Sequence, residues 1–351
     1  MKKLLVFLTG EQEKKKYQAD PISKWFGELK ENGVEISYVV DSSLDSNDNP
    51  GITPRLRMEK EGPEWAKYNQ ETLDAVKDAE MILVGYNGVN STLLAHAEKL
   101  KFVGVLRSGV ENINVAACTE KGVAVSACPG RLGESVSDFT VTMMLACNRN
   151  ISRDDLSKRA GWKYPGYDNL PRALLMKDAV VGLVGLGSIG RKVAQRIAGF
   201  GSRIIAYDPF VKPEEAAKIG IEMKSLEEVM STADFVSVHA RLVPATRGMI
   251  GAEQLALMKP SAFFINTARA GLVDEEALIR LLQEHKIRGA GLDVFLEEPL
   301  PEDHPLRKLD NVILSPHNAG GAGNLLNVSM EIMKDELLRY CKGEPLRNKM
   351  N

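Results

Sequence analysis

Residues 180–191, Val180-Val181-Gly182-Leu183-Val184-Gly185-Leu186-Gly187-Ser188-Ile189-Gly190-Arg191, limit the fold more tightly than any other stretch of the chain. An apolar strand runs into glycines spaced G-x-G-x-x-G. An amphipathic helix follows, with Val193, Ile197 and Phe200 on its apolar side. Gly185 permits the tight turn, Gly187 removes a side chain where backbone must approach a pyrophosphate, and Gly190 lets the helix pack on the strand. Ser188 and Ile189 open that helix, whose unpaired N–H groups and partial positive charge suit phosphates. A second strand ends at Asp208, 18 residues after Gly190. A carboxylate there accepts hydrogen bonds from the adenosine ribose and repels a 2′-phosphate. A glycine turn that merely joins strand to helix is the alternative, but strand, helix and acid all occur here in order. The unit predicts a βαβ dinucleotide site that takes NAD rather than NADP.

Short apolar runs alternate with amphipathic stretches over most of the 351 residues. Strands are predicted at 4–8, 34–40, 81–85, 102–106 and 123–126. A second series is predicted at 180–184, 203–207, 235–238, 262–266, 290–293 and 312–314. Helical segments such as 91–100, 189–200 and 274–284 fall between them. The alternation predicts α/β architecture with parallel sheets and crossover helices. Eleven strands are many for one open sheet, so two sheets and two domains are expected. A stretch from Ser135 carries Val136, Phe139, Met143 and Cys147 on one helical face and reads as a bridge between domains. A final amphipathic stretch, 324–342, could carry the chain back. Residues 41–63 read as a long surface loop, and 161–171, with Trp162, Tyr164 and Tyr167, as an irregular connection.

Lys plus Arg total 45 and Asp plus Glu 47, so the net charge is -2 and gives no general attraction to nucleic acid or anionic membrane. No run reaches the ~18 apolar residues that span a bilayer. The opening, Met1 to Leu8, reads as a first buried strand rather than a signal peptide. Cys118, Cys128, Cys147 and Cys341 have neither disulfide nor zinc spacing, so no metal is expected. The composition fits a cytoplasmic enzyme.

Ligands of open α/β sheets bind outside the carboxyl ends of the strands. Three such ends in the second series carry Arg269, Glu298 and His317. Arg269 can clamp a carboxylate through its fork of donors. His317 can give a proton to a ketone oxygen, or take one in reverse. Glu298 would orient that imidazole and fix its tautomer. Singly, each reads as an ordinary surface or turn residue; together, on successive strand ends of one nucleotide sheet, they read as a site for hydride transfer to a 2-keto acid. His239, ending a strand before Ala240, is expected near the cofactor.

These motifs resemble the D-isomer-specific 2-hydroxyacid dehydrogenases over about residues 78–340. The resemblance rests on residues 184–190, the run Ile265-Asn266-Thr267-Ala268-Arg269-Ala270-Gly271, the run Leu292-Asp293-Val294-Phe295 through Glu298-Pro299-Leu300, and Ser315-Pro316-His317. It implies catalytic roles for Arg269, Glu298 and His317. Asp293 would hold the nicotinamide carboxamide, while Thr267, Ala268, His239, Ala240 and Gly320 would line the cofactor site. It further implies two Rossmann-like domains, a discontinuous substrate domain of residues 1–129 and 319–351 and an NAD domain of 130–318, and a homodimer. Arg107, Ser108 and Gly109 fall in the family's substrate-carboxylate loop, with Arg269 completing the substrate contacts. Arg107 departs from the small residue usual there, and Ser137-Asp138-Phe139 replaces a common Ala-Glu-His. Glu298 argues against formate dehydrogenase, which pairs its His with Gln, and little chain follows Tyr340 for a regulatory tail.

The function expected is hydride transfer between NAD(H) and a small D-2-hydroxy acid or 2-keto acid. Arg107 and Arg131 together favour a phosphorylated or sugar-derived substrate. If instead they form structural ion pairs with Glu111 and Glu134, glyoxylate or hydroxypyruvate fits as well. A second reading, from another class, is an NAD-sensing co-regulator on the same fold.

Overall fold

The computed structural model describes residues 1–49, 52–151 and 173–351, so the connection expected at 161–171 lies outside the described residues. The chain divides into two compact units, Met1–Arg131 with Gly323–Asn351, and Leu132–Ala322. Each is an α/β layer structure on a parallel sheet, the architecture expected.

In the first unit, β1 (Lys2–Leu8), β2 (Val34–Val40), β3 (Met81–Val84), β4 (Phe102–Val105) and β5 (Ala124–Ser126) lie in the order β2-β1-β3-β4-β5. Successive side chains point to opposite faces. Leu4, Val6 and Leu8 therefore pack with Phe26, Leu29, Met330, Met333 and Leu337, while Leu5 and Phe7 join Ile82, Val84 and Val103. Helices cover both faces, which is why residues 4–8 of β1 form an unbroken apolar run. The helix Leu325–Lys342 belongs to this unit, and Ser126 Oγ donates to the buried Glu336 Oε2 at 2.7 Å across 210 positions of chain. Gly104 lies beneath it, and a Cβ there would come within 2.7 Å of Met333 Sδ, so a larger residue would have to displace that side chain.

The second unit holds β6 (Val180–Val184), β7 (Arg203–Tyr207), β8 (Ile221–Met223), β9 (Phe235–Val238), β10 (Phe263–Asn266), β11 (Gly289–Leu292) and β12 (Val312–Leu314), in the order β12-β11-β10-β9-β6-β7-β8. The order reverses between β6 and β9, the switch point at which doubly wound sheets bind ligands.

Three expectations need correction. Strand β8 is additional; its three residues, with Glu222 exposed at the centre, are too short for a visible alternation. Residues 41–63 are not simply a surface loop. Thr53 Oγ1 accepts the Leu56 N–H at 3.3 Å, Pro54 occupies the first turn, and the helix Pro54–Glu61 buries Met58; Asp41 and Ser43 are buried as well. The helix expected from Ser135 begins earlier, spans Gly133–Arg149, and lies wholly within the second unit. Its apolar face is as expected: Val136, Met143 and Cys147 are buried, and a Cβ on Gly291 of β11 would meet Met143 Cγ at 2.3 Å.

Candidate active site

The glycine turn sits at the switch point. Gly185 has φ +100°, and a Cβ there would lie 2.6 Å from the Ala240 backbone nitrogen, so β6 and the end of β9 approach as only glycine allows. The His239 N–H donates to Val184 O at 2.7 Å. A Cβ on Gly190 would meet Gly185 O at 2.3 Å, which fixes the close entry of the helix Ser188–Ala198. Gly187 is different: nothing lies within 4 Å of its Cβ direction, and no side chain caps this helix N-terminus. Both observations fit a phosphate-bearing ligand at Gly187, Ser188 and Ile189.

Asp208, just after β7, is half-buried. Its Oδ2 accepts the Leu186 N–H at 2.8 Å and its Oδ1 the Phe210 N–H at 2.9 Å. The carboxylate thus braces the glycine loop as well as marking the strand end. His239 Nε2 lies 2.9 Å from Ser237 Oγ. The residue retains intermediate exposure, yet burial of its imidazole draws the pKa down to about 4, so the ring is neutral at pH 7. Thr267, after β10, is buried with its Oγ1 2.7 Å from Thr140 Oγ1. Ala268 N donates to Asn266 Oδ1 at 3.0 Å.

Strand β11 delivers Asp293, which is fully buried. Its Oδ1 accepts Ser315 Oγ at 2.5 Å and the Asn318 N–H at 2.9 Å, and its Oδ2 accepts the Ala319 N–H at 2.8 Å. One carboxylate therefore folds the whole turn after β12. Within that turn His317 takes φ 50° and projects an exposed ring. Its Nδ1 lies 2.8 Å from Glu298 Oε2, and Glu298 Oε1 accepts the Phe295 N–H at 3.0 Å. Gly320 packs against Leu132 Cδ1, 3.3 Å from its Cβ direction. His317 and Glu298 are brought together. Arg269 is exposed, with Nη1 donating to its neighbour Ala268 O at 2.7 Å. The thiol of Cys147 is buried, which pushes its pKa up to about 12, so it is core and not a nucleophile.

On the first unit, Arg107 follows β4 and is 7% exposed. Its Nη2 donates to Glu59 Oε1 at 2.7 Å, and its guanidinium lies 4.7 Å from the Tyr86 ring centroid. Glu111, the partner weighed from the sequence, is only a secondary one, with Oε2 at 3.8 Å. Glu59 stands 48 positions away on the helix Pro54–Glu61; the Thr53-Pro54 start signal was its only trace in the sequence. The expected Arg131–Glu134 pair is absent, because Lys192 and Arg196 hold Glu134; Arg131 Nη1 instead donates to Ser329 Oγ at 3.1 Å. Ser108 Oγ donates to Cys128 O at 3.1 Å, and the Glu111 carboxylate lies over Gly109.

A glycine turn at the switch point, an open helix N-terminus and an acid at the end of the second strand define a dinucleotide-binding domain. Residues 141–319 match the sequence model of the D-isomer specific 2-hydroxyacid dehydrogenase, NAD binding domain. The chain is 40% identical over 285 residues to D-3-phosphoglycerate dehydrogenase of Methanocaldococcus jannaschii, covering 80% of this chain but only 53% of that relative. It is 36% identical over 281 residues to glyoxylate reductase of Korarchaeum cryptofilum, covering 80% of this chain and 85% of that one. The NAD-complexed D-isomer specific 2-hydroxyacid dehydrogenase from Lactobacillus delbrueckii ssp. bulgaricus superposes with TM-score 0.77 at 26% identity, over 99% of this chain and 100% of that one. The chain belongs to the D-isomer specific 2-hydroxyacid dehydrogenase family, and its second unit carries that family's NAD-binding domain. The co-regulator reading gains no support from these relatives.

Proposed function

We propose that the protein is an NAD-dependent oxidoreductase that interconverts a small D-2-hydroxy acid and its 2-keto acid. The observation that carries this is the 2.8 Å contact between His317 Nδ1 and Glu298 Oε2, on the turn folded by Asp293 in a family NAD-binding unit. Bound NADH supplies the hydride. His317, with Nδ1 engaged by Glu298, presents Nε2 to give a proton to the ketone oxygen, and takes it back in the oxidising direction. Glu298 fixes the tautomer and orientation of the ring, itself held by the Phe295 N–H. Arg269 exchanges its weak tie to Ala268 O for a bidentate hold on the substrate carboxylate. Gly187 and the helix start at Ser188 receive the pyrophosphate, Asp208 the ribose, and Asp293 the carboxamide end of the cofactor, beside Thr267, Ala268 and Gly320. Arg107, Ser108 and Gly109 offer donors for substrate on the first unit, which serves as the substrate domain.

The substrate in this reading is phosphorylated or sugar-derived, or else glyoxylate or hydroxypyruvate. The two named relatives, a phosphoglycerate dehydrogenase and a glyoxylate reductase, bracket that range. The enzyme is placed in the cytoplasm, where a reducing environment suits four free cysteines, and acts as a homodimer, which light scattering of the purified protein tests. The deciding experiment is steady-state oxidation of NADH with glyoxylate, hydroxypyruvate and phosphohydroxypyruvate. Turnover with at least one is expected; none with any would overturn the reading.

A further inference from the structure

Two guanidinium groups meet one aromatic ring at the carboxyl end of the first sheet. The face of Tyr86, two residues past β3, lies against Arg107, and its side chain also bonds Arg131, which follows β5. Arg107 is the better neutralised of the two, through Glu59 at 2.7 Å and Glu111 at 3.8 Å, with Asn112 Oδ1 at 3.5 Å. Arg131 donates to Ser329 Oγ and Tyr86, neither of them anionic, and its Nε is buried with no hydrogen-bond partner. Burial and the nearby charge of Arg107 both pull the Arg131 pKa below its ordinary value.

Such an arrangement is costly when left alone. A buried donor without a partner loses its hydration for no return, and like charges in a partly desolvated place repel. A structural ion pair would match one cation with one carboxylate. Here the second cation has none, because Glu134 is taken by Lys192 and Arg196. An anion paired with the Arg131 guanidinium would offset its charge and relieve the repulsion. A guanidinium presents Nε and Nη as a fork that fits phosphate or carboxylate oxygens in pairs.

We propose that Arg131 and Arg107, joined through Tyr86, form an anion site on the first unit that takes the second anionic group, a phosphate monoester or a carboxylate, of the keto-acid substrate. Glu59 is the resident carboxylate that competes with this group for Arg107. The ligand's identity rests on the dehydrogenase reading above; the site itself does not.

The test uses the full chain with NADH. KM and kcat are measured for hydroxypyruvate, phosphohydroxypyruvate and oxaloacetate with wild type, Arg131→Gln, Arg131→Lys and Glu59→Gln. Wild type is expected to show a KM at least ~10-fold lower for one of the two doubly charged substrates than for hydroxypyruvate, and which one identifies the group as phosphate or carboxylate. Arg131→Gln should raise the KM of that substrate ~10- to 100-fold with kcat changed far less, a loss about tenfold larger than for hydroxypyruvate. Arg131→Lys should recover part of it. Glu59→Gln should lower that KM several-fold, a gain that a merely structural Arg107–Glu59 pair would not produce. Equal losses across substrates, a wild type that favours hydroxypyruvate, or weaker binding in Glu59→Gln would overturn the anion site and leave the dehydrogenase standing. If no keto acid is turned over, the dehydrogenase reading fails. The site is then judged on inorganic phosphate: thermal protection of wild type but not of Arg131→Gln supports it, and equal or no protection overturns it.

Discussion

Glu298 holds His317 from one side only: its Oε2 lies 2.8 Å from Nδ1, and its Oε1 accepts the Phe295 N–H. Nε2 of the imidazole is left for chemistry. His317→Ala is expected to lower kcat by ~10²–10⁴-fold, the usual worth of a positioned proton donor. Glu298→Ala should also lower kcat, and the double variant should be no worse than His317→Ala alone, since residues acting as one unit are not additive. Additive losses would show that Glu298 does not act through the ring.

Asp208 has two tasks that one substitution should separate. Its repulsion of a 2′-phosphate predicts strong preference for NADH over NADPH in the wild type. Its bonds to the Leu186 and Phe210 N–H groups predict that Asp208→Ala also loosens the glycine loop. NADH KM should rise about tenfold, and stability should fall by about 1–2 kcal/mol for two lost backbone contacts. Equal use of both cofactors by the wild type would refute the first part, and an unchanged melting temperature the second.

Two glycines of the turn should respond differently to alanine. At Gly190 a Cβ would strike Gly185 O at 2.3 Å, so Gly190→Ala should destabilise the protein by about 1–3 kcal/mol. At Gly187 nothing lies within 4 Å, so Gly187→Ala should melt with the wild type. Its NADH affinity should still drop by about tenfold or more, because the cofactor meets the new methyl group. Calorimetric unfolding and fluorescence titration of NADH distinguish the two. A Gly187→Ala protein that binds NADH normally would remove the pyrophosphate from this turn.

His239 gives stability a pH dependence with a definite sign. Its folded pKa is about 4 against an ordinary 6.5, so below 6.5 the unfolded chain takes up a proton that the native ring refuses. Stability linked to this residue is full above pH 6.5 and is lost as pH falls toward 4. Allowing for the residue's partial exposure, the loss should be on the order of 2 kcal/mol. Urea unfolding at pH 7.5 and 4.5 should show a smaller difference in His239→Gln. The same slope in both proteins would mean that the ring is hydrated in the native state.

Local pattern carried the sheets and the nucleotide turn into view. Apolar runs of four or five residues and the spacing of Gly185, Gly187 and Gly190 depend on short stretches of chain. The strand-end positions of His317, Glu298 and Arg269 were legible, and the structure brings the first two into contact. The partners of Arg107 and Arg131 were not. A guanidinium in a loop chooses among acids that only tertiary folding brings near, and Glu59 was hidden in a polar stretch whose helix needed Met58 in the core to declare itself. Likewise Asp293 was assigned to a cofactor contact, while its three bonds to Ser315, Asn318 and Ala319 depend on β11 and β12 lying side by side.

The helix Leu325–Lys342 imposes an order on synthesis. Met330, Met333 and Leu337 complete a core whose other members include Leu4, Val6 and Leu8, and the whole second unit is made in between. A nascent chain that has reached Ala322 contains every described strand of the nucleotide sheet, yet one face of its first sheet is covered only in part, by Ile22, Phe26 and Leu29. Its uncovered part waits on the ribosome, open to chaperones and to other chains, until that helix emerges. Leu4, Val6 and Leu8 are thus made long before their core is complete. A chain cut short just before this helix should form a sound nucleotide unit joined to an aggregation-prone remnant.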